Sequence, residues 1–463
     1  MPQFDTTELA AWSGGQWTGL PAVPVEGFAI DTRRIKAGQM FVALRTETRD
    51  GHDFLPAAAA AGAAAALVST LRPDVDLPQL VVPHTLTAFQ VIAREHRRNF
   101  PGPVAGISGS AGKTSTKDLL ALLLGERALA TEGNLNNHLG VPLTLTRLDP
   151  ERHGYAIIEA GISGPDEMKP LAEMIEPDVA VITLVDRAHT AGLGDIDGVA
   201  REKALLPAAA RETGVAILPD VVANLPAFQA LPVRRLKVER ADVIRPEPAA
   251  RDTIYYAVSH RDARTGVSVA PVNDDAAPEL YEFRRVSDGM TQNAVLAICV
   301  ARWLGVEPAK IRERLIGWGA APLRGEVRRD RGRLVYVDCY NANPAAMADA
   351  LQVFKELTTD ATARLYVLGG MEELGAESEA QHLGLGASLA LGPHDRVLAI
   401  GTGNAAVREG ARLQGASPDQ IEIFDATEQI GHRMDDWTGP IFIKGSRRYH
   451  LETLLEESAV ALH

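Results

Sequence analysis

VAGISGSAGKTSTKDLLALLLGERAL, Val104 to Leu129, decides the fold. VAGIS reads as a short buried strand, GSAG as a glycine-rich turn, and KTSTKDLLALLLGERAL as an apolar helix. Strand, glycine turn and helix in that order are what a phosphate-binding loop requires. Successive backbone N–H groups from Ser110 to Thr114 can wrap a phosphate, and the helix N-terminus adds partial positive charge. Lys113 then reaches the β/γ oxygens and the Thr114 hydroxyl faces Mg²⁺. The long pattern GxxxxGK[ST] needs glycine where Ile107 stands, so the motif present is the shorter GxxGKT, Gly109 to Thr114. An ordinary glycine turn is the plain alternative; the flanking strand and helix favour a nucleotide site.

Outward from this loop the pattern repeats. YAIIEAG from Tyr155, DVAVITLV from Asp178 and GVAILPD from Gly214 are apolar strands separated by helix-length segments. That alternation predicts a mostly parallel sheet covered on both faces. From about Arg234 to Val286, shorter runs such as TIYYAV and LYEFRRV predict an antiparallel patch appended to it. RLVYVD, RLYVLGG, DRVLAIG and PIFIKG repeat the parallel pattern near the C-terminus, as a Rossmann-like layer. Two seams divide the chain, FPGPV at Phe100 to Val104 and GWGAAPLRG at Gly317 to Gly325. The expected fold is α/β with three domains: a mixed N-terminal domain (1–101), a central P-loop domain (102–320) and a C-terminal Rossmann-like domain (321–463).

Composition narrows the function. The 463 residues carry a formal net charge of −13, which repels phosphate backbones and argues against nucleic-acid or anionic-membrane binding. Two cysteines, Cys299 and Cys339, are too few for a disulfide framework or a cysteine zinc site. MPQFDTTELAAW has neither the basic nor the apolar region of a signal peptide. AAAAAGAAAALV, Ala57 to Val68, falls short of the ~20 residues that span a bilayer and reads as a small-residue helix. A soluble, monomeric cytoplasmic protein without membrane insertion is expected.

A phosphate loop needs a carboxylate near its metal. Glu159 closes the strand YAIIEAG at the sheet end where ligands bind, and an unpaired buried charge there is costly unless a cation meets it. His189, in the loop after the next strand, is a plausible metal ligand or a solvated loop histidine. Lys203 in DGVAREKALL reads from composition as a surface lysine.

Together these strings resemble the Mur ligases, over essentially the whole chain. IDTRRIKAGQMFVAL and DGHDF resemble the family's uridine-nucleotide-binding domain; SGSAGKTSTKDLL followed by EGNLNNHLGVPLTL is a long and specific match. DCYNANPAAM, LGGMEELGAESEAQH and IKGSR resemble the branch that joins D-alanyl-D-alanine to UDP-N-acetylmuramoyl-tripeptide, with Cys339 where serine is usual. The DNPR-type string of the branch that adds the third peptide residue is absent. Departures are Gly289-Met290 where His-Asn is common, Arg324-Gly325 where Gly-Arg is expected, and Asp186-Arg187 in place of Gly-Pro.

The resemblance implies an ATP-dependent ligase of peptidoglycan precursor synthesis, working through an acyl phosphate with Mg²⁺. It implies that the N-terminal domain takes the UDP-sugar. It assigns ATP to Ser108, Gly109, Ser110, Ala111, Gly112, Lys113, Thr114, Asn293, Arg324, Asp338 and Asn341, and metal to Thr114, Glu159, His189 and a carbamylated Lys203. Catalysis falls to Lys113, Glu159, His189 and Lys203, and substrate to Thr32, Arg33, Asn136, Asn137, Tyr340, Asn343, Lys444 and Ser446. Another Mur-type or folylpolyglutamate-type ligase with a different amine acceptor stays open, as does a nucleotide-binding regulator without catalysis.

Overall fold

The computed structural model describes residues 2–186, 193–242, 252–261, 264–270, 277–320, 322–455 and 460–461. Three sheets organise them.

The first sheet contains β1 (Gln16–Trp17), β2 (Phe28–Ala29), β3 (Met40–Val42), β4 (Ala65–Val68) and β5 (Gln79–Val81), in the order β1-β5-β4-β3-β2. All its pairings are parallel except β1 with β5. The alanine-rich stretch expected to be one helix is split: Leu55–Ala60 is helical, Gly62 turns the chain at φ 85°, and Ala65–Val68 becomes β4. Small side chains suit a strand buried on both faces, and glycine supplies the positive φ that ends the helix.

The central sheet has nine strands: β6 (Val104–Ser108), β7 (Ala128–Ala130), β8 (Tyr155–Glu159), β9 (Val179–Ile182), β10 (Val215–Pro219), β11 (Arg234–Arg240), β12 (Thr253–Arg261), β13 (Arg264–Val269) and β14 (Glu279–Arg284). Their order is β14-β13-β12-β11-β10-β9-β6-β8-β7. Alternation along each strand feeds two cores. Ile107, Ile157, Val181 and Ile217 pack under the helices Lys113–Leu124 and Asp288–Trp303. Val104, Ile158, Ile182 and Leu218 pack under Met168–Ile175 and Ile196–Ala208. Two expectations change. The helix after the glycine turn stops at Leu124, where Gly125 takes φ 81°, and Ala128–Ala130 becomes the edge strand β7. The patch from Arg234 also starts parallel, since β11 pairs in parallel with both β10 and β12; only β12-β13-β14 is antiparallel.

The third sheet contains β15 (Glu326–Asp330), β16 (Arg333–Asp338), β17 (Leu365–Gly369), β18 (Arg396–Ile400), β19 (Ile421–Phe424), β20 (Ile441–Lys444) and β21 (Val460–Ala461), ordered β19-β18-β17-β20-β16-β15-β21. Its five parallel strands again have apolar residues on both faces, as the Rossmann-like reading requires. Among the described residues no helix is long and apolar enough to cross a membrane.

Candidate active site

Strand β6 lies between β8 and β9, and the chain leaves this point toward opposite edges of the sheet. Ligands bind at such a switch, outside the carboxyl ends of the strands. The loop after β6 is held there by the segment after β9. Gly109 takes φ 151°, and a Cβ on it would lie 2.0 Å from Thr183 Oγ1. The Thr183 hydroxyl donates to the Ala111 carbonyl. Ser110 N–H donates to the Leu184 carbonyl at 2.8 Å, and its hydroxyl bonds the Asp186 backbone at 3.0 Å. The Ser110 amide, expected to face phosphate, is therefore committed to the scaffold, and the cradle starts at Ala111. Gly112, at φ 80°, leads into the helix Lys113–Leu124, and Asn293 of the helix Asp288–Trp303 packs against it.

Lys113 Nζ donates to the Gly109 carbonyl at 2.8 Å. Burial lowers its ammonium pKa; nearby Glu159 opposes that shift and Arg324 adds to it. Glu159 is 1% exposed at the end of β8. Its Oε1 accepts from Asn136 Nδ2 at 2.8 Å, while the buried Oε2 has no hydrogen-bond partner. An orphan carboxylate oxygen beside a phosphate loop fits a cation better than it fits a packing role. Among the described residues no three His, Cys, Asp or Glu side chains form a metal cluster, and His189 lies outside those residues.

The opposite wall belongs to the third sheet. Lys444, 1% exposed at the end of β20, donates to Asp338 Oδ2 at 2.6 Å and to the Asn341 carbonyl at 3.2 Å. That buried ion pair fixes the ends of β16 and β20 together. Asn343 caps the helix Pro344–Leu357 through the Ala346 N–H. Leu323 and Gly325 both have positive φ, which carries Arg324 over the Tyr340 ring, 3.8 Å from its centroid. The two walls enclose a cleft of about 460 Å³.

The family sequence patterns and whole-chain relatives agree with this arrangement. The Mur ligase family catalytic domain matches residues 24–97, the Mur ligase middle domain 107–301, and the Mur ligase glutamate ligase domain 323–446. The UDP-N-acetylmuramoyl-tripeptide–D-alanyl-D-alanine ligase of Escherichia coli is 33% identical over 94% of this chain and 93% of its own length. The Bacillus subtilis ligase of the same name is 30% identical over 94% and 93%. This chain is a Mur ligase. A crystal structure of MurF from Acinetobacter baumannii superposes with a TM-score of 0.84 at 26% identity, covering 98% of both chains.

Of the site residues read from its sequence, this Mur ligase gathers most around the cleft: Ser110 to Thr114, Asn136, Glu159, Asn293, Arg324, Asp338, Tyr340, Asn341, Asn343 and Lys444 line it. Ser108, fully buried at the end of β6, and Gly109 after it do not line the cleft. Lys203 is not the surface residue its composition implied; it is 2% exposed in the helix Ile196–Ala208. Burial first, then the charge of Lys113, hold its pKa well below the usual lysine value, against the pull of Glu202. Other residues stand apart from the cleft lining. Asn137 Oδ1 accepts the Leu139 and Gly140 N–H groups, at the start of the helix Gly140–Leu145. Thr32 and Arg33 form a 3₁₀ turn after β2, with Arg33 exposed and paired to Asp31. Ser446 starts the turn Arg447–Tyr449 and packs by its N–H on the Gly370 carbonyl.

Sequence reading missed Thr183, Ser287, Gln292, Tyr336 and Asp349, all on the cleft wall. Thr183 carried the signal used for Glu159, a polar residue following an apolar strand. Asp349 carried none, because its importance arises only when two sheets meet.

Proposed function

We propose that this Mur ligase joins D-alanyl-D-alanine to UDP-N-acetylmuramoyl-tripeptide with cleavage of ATP to ADP and phosphate, in peptidoglycan precursor synthesis. The observation that carries this reading is the single cleft in which Lys113 and Glu159 face Asp338, Asn341 and Lys444 of the third sheet. The tripeptide's terminal carboxylate oxygen attacks the γ-phosphorus, and the bond to the ADP oxygen breaks. The dipeptide's amine then attacks the acyl carbonyl and inorganic phosphate leaves. Lys113 stabilises charge on the transferring phosphoryl group, where positioning and electrostatics dominate catalysis. Apposed walls exclude water, which would otherwise hydrolyse the acyl phosphate.

The orphan Glu159 oxygen and the Thr114 hydroxyl would hold Mg²⁺, and His189 and a carbamylated Lys203 would complete the set. Bound Mg²⁺ supplies neutralisation of phosphate charge. A lysine amine whose proton is held weakly, as burial and Lys113 make it at Lys203, is the form that adds CO₂. Residues 1–101 take the UDP-sugar, with Thr32 and Arg33 at its diphosphate end; residues 102–320 take ATP; residues 321–463 carry the acceptor. The working form is a cytoplasmic monomer.

Incubation with ATP, UDP-N-acetylmuramoyl-tripeptide and D-alanyl-D-alanine, with mass detection, should yield the pentapeptide product, ADP and phosphate. Turnover with single amino acids or glutamate but not the dipeptide would assign the chain to a different acceptor.

A further inference from the structure

Gly289 and Met290, where the family commonly has His-Asn, open the helix Asp288–Trp303, which brings Gln292 and Asn293 to the cleft. Ser287 caps that helix from within, accepting the Met290 N–H at 3.1 Å. A second cap comes from the other side of the seam. Asp349, on the third-sheet helix Pro344–Leu357, accepts the Gly289 N–H at 3.0 Å. Helix N-termini leave such amides unpaired and favour negative charge.

The contact depends on glycine. A Cβ at residue 289 would lie 2.7 Å from Asp349 Oδ2 and 3.2 Å from its Cγ. Two turns further along the same face of the Asp349 helix, Glu356 meets Arg285 at 2.6 Å. Both grips join the helix that starts at Asn343, a cleft residue, to the segment that precedes Asn293. Rotation of the third sheet away from the central sheet would have to break both.

We propose that Asp349 is a positioning residue: capping the helix Asp288–Trp303 from across the seam, it holds the cleft in the closed, nucleotide-competent arrangement. A nucleotide on the phosphate loop would also meet Arg324 across the cleft, so it would bind the closed arrangement more tightly. Its apparent affinity therefore scales with the fraction of molecules closed. A UDP group held by the first sheet makes no use of this seam. The inference rests on the ATP reading of the cleft.

The test is direct binding to the full-length protein, with ADP and UDP as probes. Asp349→Ala should weaken ADP by up to about fivefold, the equilibrium ratio of a typical helix cap of ~1 kcal/mol, with UDP binding unchanged. Asp349→Asn should recover most of the ADP affinity, since its amide oxygen can still accept the Gly289 N–H. Gly289→Ala should imitate Asp349→Ala, and the double variant should be no worse than either single one, because both remove the same contact. Small-angle scattering should show a larger radius for both alanine variants without nucleotide. Equal ADP affinity in wild type and Asp349→Ala, parallel losses of ADP and UDP, or additive losses in the double variant would each overturn the proposal. Failure of the wild type to bind ADP would instead remove the nucleotide reading beneath it.

Discussion

The two seams of the chain are built differently. At the first, Arg97 is fully buried, and its guanidinium donates to the Ile175 and Glu176 carbonyls and to Asp178. The same Asp178 oxygen accepts the Val104 N–H at 2.8 Å, so one carboxylate ties the helix Thr85–Asn99, which carries Arg97, to the opening residue of β6. At the second seam the visible ties are the Gly289–Asp349 hydrogen bond and the part-exposed Arg285–Glu356 pair, beside a cleft. A fully buried guanidinium makes the first a rivet; hydrogen bonds at the edge of a cleft make the second a clasp. The chemistry lies at the clasp, where a wall can move without unmaking a core.

Substitutions can break this contrast. Lys113→Ala should lower ligation by about 10³-fold or more while leaving thermal unfolding near wild type, since the cleft lysine serves charge stabilisation. Near-normal turnover in a folded variant would sink the phosphate-loop assignment. Lys203→Ala should also cost most of the activity, and formate or acetate should restore part of it by filling an anionic position. No rescue and no loss would return Lys203 to a packing role.

At the rivet, Arg97→Ala should destabilise the fold by about 3 kcal/mol, because it strands a carboxylate and two carbonyls at a buried junction. Urea unfolding measures this; ADP affinity of the folded protein should stay unchanged. Arg285→Ala at the clasp should cost only about 0.5 kcal/mol, as exposed ion pairs do. If the two losses are equal, the contrast between seams fails.

Acid should probe the rivet more gently. His96, beside Arg97, bonds the Leu148 carbonyl at 2.8 Å, and burial lowers its pKa despite Asp149. The unfolded chain therefore binds the proton more readily than the folded one, so this contribution to stability is lost as pH falls below about 6.5. His153 is shifted the same way, also first by burial. His96→Gln should flatten part of the decline in melting temperature between neutral pH and acid; an unchanged slope would place its origin elsewhere.

The sequence showed much of this where local pattern and burial coincide. The apolar strands β6, β8, β9, β10, β16, β17, β18 and β20 could be read directly, because strands covered on both faces need apolar residues at every position. The stretch Ala57 to Val68 misled because alanine suits a helix and a crowded central strand equally, leaving Gly62 to decide. The phosphate loop was legible as a string, but the diversion of the Ser110 amide to Leu184 was not, since it depends on a strand some seventy residues later. Lys203 shows the same limit. Nothing in DGVAREKALL distinguishes an exposed face from a buried one, and only the packing of that helix turns a solvated ammonium into a weakly basic amine.

The grip of Thr183, Leu184 and Asp186 on the loop after β6 has a consequence for the energetics of nucleotide capture. Much of the ordering that a free glycine-rich segment undergoes on meeting an anion has already occurred during folding. Nucleotide association should therefore show little of the conformational-entropy penalty expected of a loop that freezes on contact. The heat released on binding should report mainly desolvation of the phosphates and movement of the third sheet.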